Sequence, residues 1–436
     1  MNSHQQDSPA SLVEQAVTLY RANDFQAAEQ ACVQYLAARA EDPHMLHILG
    51  LCRLSLGKTA EAVDALKSAA ALAPDDNGIL KSLARGQFDN RDLRDYCQSV
   101  LQLFARGDCS ADNCVRAVQV MHRLGDRDGA VNHAGNFLHR YPDNPHLYNL
   151  YSVALKNVGR LPESIRAGRQ GLALCLARPF KPRQLKKRPL FATEDNLRVL
   201  WNVLAGLNSA GIAAFPTAGT LLGLVRENRL LPGDKDLDLA VPFPDMDKCI
   251  AALARDGWRD VGGSYSLSNP RQLFHPDHNL YLDLCGLLRE ESGQTISGFW
   301  MEGIPGEWNR ITEFPDVDLQ QIDSPAGKIY WPTNPEAWLV ALYGEGWRTP
   351  DHQFDTVICA RNLRSFSLLV ECYALNRIFA GWWAGDEAAC LKIIRSVLAH
   401  VPDDDLYNRI RKALEKDTGN DLKNRVEQRS TNSPST

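Results

Sequence analysis

Small, apolar and polar positions return at a fixed interval along the first part of the chain. From Pro9 it divides into 34-residue blocks, 9–42, 43–76, 77–110, 111–144 and 145–178, each reading as two amphipathic helices. The block PHMLHILGLCRLSLGKTAEAVDALKSAAALAPDD carries the pattern most fully. Gly50 stands at its eighth place, Gly57 at the helix break, Ala62 and Ala69 inside the second helix, and Pro74 near the end. Parts of it recur as Asn23-Asp24-Phe25 with Ala28, as Gly125, Ala130 and Pro142, and as Gly159 and Gly171. The block that starts at Asn77 keeps only the length and the apolar rhythm. Small residues let two antiparallel helices approach closely, and proline ends a unit before the next begins. One helix pair cannot cover its own apolar face, so several must stack into a solenoid.

This period and its small-residue positions resemble the tetratricopeptide repeat (TPR) family. The resemblance implies an all-α solenoid over 9–178 that docks a protein partner or mediates self-association. Residues 177–197, ARPFKPRQLKKRPLFATEDNL, follow it. Arg178, Lys181, Arg183, Lys186, Lys187 and Arg188 lie there without an intervening acid, and Pro179, Pro182 and Pro189 interrupt any helix. Two readings stay open for this stretch: a basic surface for anionic lipid, polymer or nucleotide phosphate, or a solvated connection over 179–193.

Beyond it the pattern becomes mixed. Residues 194–210 predict an amphipathic helix with Leu197, Val199, Leu200, Val203, Leu204 and Leu207 near one face, ended by Gly211. Ile212–Phe215 reads as a short strand, Ala218-Gly219-Thr220 as a tight turn, and Leu221–Arg226 as one or two helical turns broken at Asn228. Leu230-Leu231-Pro232-Gly233 then turns the chain into an expected strand, Asp234–Val241. On such a strand Asp234, Asp236 and Asp238 share one face, with Leu237, Leu239 and Val241 on the other. Like charges side by side are destabilising unless a cation neutralises them, and carboxylate oxygens suit Mg²⁺ or Mn²⁺. An acidic strand edge that opposes aggregation is the plainer alternative. A further acid, Asp283, lies in HNLYLDLCGLL, where Tyr281, Asp283 and Cys285 share a face; beside the first strand it would complete a carboxylate cluster.

The order of Gly-Thr turn, short helix, Asp-x-Asp strand and later Asp-bearing strand resembles the polymerase-β type of nucleotidyltransferase fold. More narrowly, GTLLGLVRENRLLPGDKDLDLAV is similar to the LicD family, which includes bacterial phosphocholine transferases and the animal proteins fukutin and fukutin-related protein. The matching residues are Gly219-Thr220-Leu221-Leu222-Gly223, Arg226, Leu231-Pro232, and Asp234-Lys235-Asp236-Leu237-Asp238. Asp283 matches the family's later acid, and 332–355 (PTNPEAWLVALYGEGWRTPDHQFD) resembles its closing segment. Gly233 replaces the usual aromatic, and Lys235 stands where a polar or acidic residue is common; on a strand it would face away from the metal. The resemblance implies an α+β domain over 194–418 with a helical C-terminal buttress. It also implies transfer of a phospho-alcohol from a cytidine-diphosphate-activated donor to a glycan or teichoic-acid-type acceptor. In that reading Asp234, Asp236, Asp238 and Asp283 are metal ligands, and Asp236, Asp238 and Asp283 are catalytic. Asp283 serves as ligand or base. Gly219 and Thr220 contact the donor phosphate, and Arg226 either clamps phosphate or pairs with one of the acids. Two other readings remain: an interaction scaffold with an inactive transferase domain, or a nucleotidyltransferase acting on another acceptor.

Weaker candidates are His275 and His278 near Asp283, and Trp331, Trp338 and Trp347, for which core packing competes with base or sugar stacking. Trp382-Trp383 fall in the buttress. Composition alters little. Among 436 residues, 44% are hydrophobic and 23% charged, with a net charge of −5. Those values exclude a mainly disordered or collagen-like chain and speak against general nucleic-acid binding. No eighteen-residue apolar run marks a membrane span, and the polar start lacks a signal-peptide pattern. The expected compartment is therefore the cytoplasm, with peripheral contact at the inner membrane face left open. Eleven scattered Cys, Cys109 and Cys114 the closest in sequence, read as reduced buried thiols. The polar tail, 419–436, is expected to be disordered.

Overall fold

The computed structural model describes residues 9–181, 183, 191–261 and 266–415. The expected disordered tail and Lys186, Lys187 and Arg188 of the basic stretch lie outside the described residues. The chain divides into two units, Met1–Pro142 and Asp143–Thr436.

The first unit is a run of helical pairs: α1 (Pro9–Arg21) with α2 (Phe25–Ala38), α3 (Pro43–Ser55) with α4 (Thr59–Leu72), α5 (Asn77–Asp89) with α6 (Leu93–Ala105), and α7 (Ala111–Arg123) with α8 (Arg127–Arg140). Their starts are set by side chains recurring at the repeat interval. Asp42, Asp76 and Ser110 each accept backbone N–H bonds at the first turn of α3, α5 and α7, satisfying donors a helix leaves open. The turns inside the pairs recur as well. Asn23, Gly57, Arg91 and Gly125 all take left-handed backbone conformations, with φ of 63°, 75°, 68° and 70°. The block at Asn77 therefore keeps the turn geometry with arginine in a place that favours glycine. Small residues act as expected: a Cβ on Gly50 would stand 2.5 Å from Leu66 Cγ, so glycine lets α3 and α4 close on each other. Ala62 and Ala69 are fully buried.

In the second unit, α9 (Pro145–Asn157) and α10 (Leu161–Cys175) continue the pattern, with Asn144 capping α9 and Gly159 left-handed at the turn. The sequence period groups this pair with the repeats, but by packing it shares a core with the C-terminal helices α15 (Leu368–Ala384) and α16 (Glu387–Leu398) and with a helix over 405–415. Leu161 and Leu172 meet Leu375, Ile394 and Tyr407 in this core. Arg169 ties the layers together through Glu371 at 3.0 Å and Asp404 at 2.9 Å. The buttress thus braces the fifth helical pair, and touches the sheet region through Phe299 and Met301.

The sheet domain opens with α11 (Glu194–Ser209), which ends before left-handed Gly211 as expected. Next come β1 (Phe215–Pro216), α12 (Ala218–Glu227), β2 (Leu237–Pro242), α13 (Met246–Arg255), β3 (Arg259–Asp260), β4 (Arg271–His275), β5 (Leu280–Arg289), β6 (Thr295–Phe299) and β7 (Arg310–Phe314). The hairpin β8 (Leu319–Ser324)–β9 (Gly327–Pro332) and α14 (Pro335–Tyr343) follow. The sheet runs β1-β2-β5-β4-β3, with β6 joining β5 to β7; β2 and β5 are parallel and the other pairs antiparallel. One face of the central strands is apolar. Leu237, Leu239, Val241, Leu282 and Leu284 pack with Leu200, Leu204 and Leu207 of α11 and Leu253 of α13. The opposite face carries Asp238 and Asp283, while Ala240 there packs with Leu221 of α12 and Trp338 of α14. Among the described residues no helix is long and apolar enough to cross a membrane.

Candidate active site

The Gly-Thr-Leu-Leu-Gly stretch is the start of α12, and each of its residues has a packing reason. Thr217 N–H donates to the Asp238 carbonyl (3.0 Å), and Asp238 N–H donates to Thr220 Oγ1 (2.8 Å). The first turn of α12 thereby holds both backbone groups of Asp238. A Cβ on Gly219 would collide with the Asp234 carboxylate, and one on Gly223 would stand 2.6 Å from the Arg229 carbonyl. Glycine is thus required where Asp234 and the returning chain lie against the helix. Leu221 and Leu222 are buried. Trp338 Nε1–H donates to Thr217 Oγ1 (3.0 Å), fixing the turn from α14. Left-handed Asn228 ends α12 (φ 52°), as its position predicted.

The acids converge by a route different from the one expected. The strand begins at Leu237, so Asp234 and Asp236 lie in the turn before it and only Asp238 is on β2. The Pro232-Gly233 turn delays the strand and folds Asp234 back onto Gly219. Asp238 and Asp283 are register partners on the parallel pair β2/β5. Burial, followed by the Asp236 carboxylate, pushes Asp234 up to about 7 and Asp283 up to about 6. Burial, then Asp236, Asp234 and Asp283, holds Asp238 well above the ordinary carboxylate range. Lys235 does not face away: its ammonium stands 3.5 Å from Asp236 Oδ2, the side chain otherwise largely exposed. Its charge opposes the rise at Asp234, Asp238 and Asp283.

Two further residues bear on these acids and were not picked out by sequence. Gln272 on β4 donates from Nε2 to Asp283 Oδ1 (2.9 Å), as its register opposite Asp283 permits. Tyr343, at the end of α14, has its hydroxyl held protonated by burial and then by the Asp238 and Asp234 charges. Alternation in RQLFH could have flagged Gln272; Tyr343 had only its place in the 332–355 segment as a signal. Arg226 is not paired with the aspartates. It donates to Glu227 Oε1 (2.9 Å) and to the Trp347 carbonyl (3.3 Å), and its buried Nε has no hydrogen-bond partner.

His275 is buried, its Nε2 bonded to the Asp256 carbonyl (2.9 Å) and its Nδ1 accepting from His278 N–H (3.4 Å), so both ring nitrogens serve the fold. Trp338 is a core residue stacked on Phe314 at 4.1 Å; Trp347 is buried as well. Four carboxylates lie about this turn, and carboxylate oxygens are donors of the kind hard divalent cations take. Among the described residues, no three His, Cys, Asp or Glu side chains are gathered tightly enough to make a ready metal cage.

Comparison with known proteins follows the same division. Residues 13–77 match the tetratricopeptide repeat model, and residues 211–267 match the model described as LicD/FKTN/FKRP, nucleotidyltransferase domain. A tetratricopeptide repeat match near the N-terminus is thus followed by a match to a LicD-type nucleotidyltransferase domain. The second match includes Gly219 through Asp238 and stops short of Asp283. Among solved structures, the crystal structure of the MamA protein is 17% identical with a TM-score of 0.34, covering 38% of this chain and 91% of that one. YrrB, titled a TPR protein with an unusual peptide-binding site, is 9% identical with a TM-score of 0.34, covering 39% of this chain and 88% of that one. No curated protein matches the chain.

Proposed function

We propose that the protein is a divalent-cation-dependent phosphotransferase. It moves a phospho-alcohol such as phosphocholine or ribitol phosphate from a cytidine-diphosphate-activated donor to a hydroxyl of a glycan or cell-surface polymer. In this reading residues 194–418 are the transferase domain, 179–193 a basic connection, and the helical repeats of 9–178 dock a protein partner or the acceptor. The observation that carries it is the register pairing of Asp238 with Asp283 beside Asp234 and Asp236, at the α12 turn, where all but Asp283 fall within the LicD match.

Asp236 and Asp238, with Asp234 and Asp283, are the residues to hold Mg²⁺ or Mn²⁺. Such a cation neutralises the donor diphosphate and favours in-line displacement of cytidine monophosphate. Thr217 and Thr220 fix the Asp238 backbone, so its carboxylate cannot retreat when a polyanionic donor arrives. The N-terminal N–H groups of α12 give that donor a positively polarised neighbour. Gln272 occupies Asp283 Oδ1, leaving Oδ2 for a cation or for the acceptor proton. Held at about 6, Asp283 is basic enough to accept that proton near neutral pH.

The test is incubation with Mg²⁺ and a panel of cytidine-diphosphate alcohols, with cytidine monophosphate release as the readout. Release with at least one donor, lost in Asp236→Ala, supports the reading. No release with any donor, or release unaffected by Asp236→Ala, overturns it and favours a scaffold role.

A further inference from the structure

The eleven cysteines are all free thiols, and one pair in the first unit has no part in the site described above. Cys109 and Cys114 lie with their Sγ atoms 3.6 Å apart, Cys114 donating to Cys109. Ser110 caps α7 through Asn113 N–H, which makes Cys109 the residue before the cap and Cys114 the fourth residue of the helix. Those two places form the apolar staple that commonly fixes the entry of a chain into a helix. At the same places one and two repeats earlier stand Asp75 with Leu80 and Glu41 with Leu46, so the two-thiol staple is peculiar to this repeat.

We propose that Cys109 and Cys114 are an oxidisable dithiol, which a hydroperoxide converts to an intramolecular disulfide that locks the α6–α7 turn onto α7. Three features favour it. The sulfurs are already in contact, so closure needs a shift on the scale of a side-chain adjustment. Cys109 is buried but retains 5% exposure at a turn while Cys114 is fully buried, which makes Cys109 the first of the two to meet an oxidant. The hydrogen bond from Cys114, then the charges of Arg140 and Lys81, favour the Cys109 thiolate, whereas Cys114 is held protonated. The chemistry balances in two steps. The Cys109 thiolate attacks hydrogen peroxide, forming S–O as O–O breaks, and the hydroxide expelled takes up the proton the thiol had lost and departs as water. Cys114 then attacks that sulfenic sulfur, forming S–S as S–O breaks, and its proton leaves with a second water. The turn so locked also holds the end of α8, since Tyr141 O–H and Arg140 donate to the Cys109 and Gly107 carbonyls.

The test treats the full chain with graded hydrogen peroxide, alkylates remaining thiols under denaturing conditions and maps tryptic peptides. Peptide 107–116, GDCSADNCVR, contains both sulfurs. It should lose two hydrogens and resist alkylation until reduced, while the thiol count falls by two from eleven. Cys114→Ser should instead yield a sulfenic acid at Cys109 that dimedone traps, and Cys109→Ser should abolish both signals. Full alkylation of 107–116 at peroxide levels that oxidise other cysteines would overturn the proposal. So would closure of Cys32 with Cys52, the other thiols in mutual contact, in its place.

Discussion

The repeat unit and the sheet domain treat buried polarity in opposite ways. In the first unit the interior is mostly apolar or small, and its buried polar side chains are paired, Gln87 with Ser99 and Glu29 with Arg53 and Lys58. Polar side chains at helix starts are satisfied on the spot by backbone N–H groups. Asp42, Asp76 and Ser110 do this at the repeat interval, and among the described residues of this unit no buried side-chain polar atom is left without a partner. In the second unit one face of β2 and β5 follows the same rule, while the other places Asp238 against Asp283 beneath α12 and α14. There burial and mutual repulsion raise three carboxyl groups, with Lys235 as the nearby cation. Where local rules agree throughout, the fold alone accounts for the residues; a place where they conflict is a candidate functional site.

This contrast can be broken most strongly at Asp238. Asp238→Asn should lower cytidine monophosphate release by about 100-fold or more, because a charge aimed at the reacting groups is gone. The same change should leave thermal stability unchanged or higher, since it removes a buried like charge; a large loss of stability would show the acid to be structural. Gly50→Val reverses the pattern. Forcing side-chain atoms against Leu66 should destabilise the repeat unit by about 1–3 kcal/mol, read as a lower denaturant midpoint, with release per folded molecule unchanged.

Acidity sharpens the comparison. Asp234 and Asp283 titrate near 7 and 6 when folded, against 3.8 for the unperturbed group. Between those values the folded state binds protons that the unfolded chain does not, so stability rises as pH falls from about 7 toward 4. In EDTA the transition of the second unit should therefore move up as the buffer is acidified from pH 8 to pH 5.5, and excess Mg²⁺ should flatten the trend. Asp234→Asn with Asp283→Asn should shrink the rise to the part that Asp238 carries; a rise of undiminished size in that double variant would place its origin elsewhere. The smallest effect is in the repeat turns. Arg91→Gly should stabilise the first unit by about 1 kcal/mol by relieving a left-handed arginine, and Gly57→Ala should cost a similar amount at the equivalent turn. Equal signs for the two in a denaturant titration would refute the common turn.

Much of the fold was legible because it repeats. The period announced helix pairs, breaks and small-residue contacts, and even the poorly matching block obeyed it through Arg91, a residue whose type gives no hint of left-handed backbone. The fate of the fifth pair was not legible, because Leu375, Ile394 and Tyr407, which cover α9 and α10, come from a segment some two hundred residues later. At the candidate site the residue types and the faces of Asp238 and Asp283 could be read from alternation, whereas that their strands lie side by side was only a condition until the β2/β5 register met it. The turn that gathers Asp234 could not, since strand periodicity cannot show where a strand begins after Pro232-Gly233. Arg226 had a motif position but no partner until α12 was seen against Trp347. Gln272 and Tyr343 owe their places to neighbouring elements rather than to any local pattern.

The central claim is that the acids at the α12 turn form a cation-dependent phosphotransfer site. Its most direct test is cytidine monophosphate release from a cytidine-diphosphate alcohol by the wild type and Asp238→Asn, each in Mg²⁺ and in EDTA. The account predicts release only by the wild type in Mg²⁺. Equal release by the variant, or undiminished release in EDTA, would contradict it.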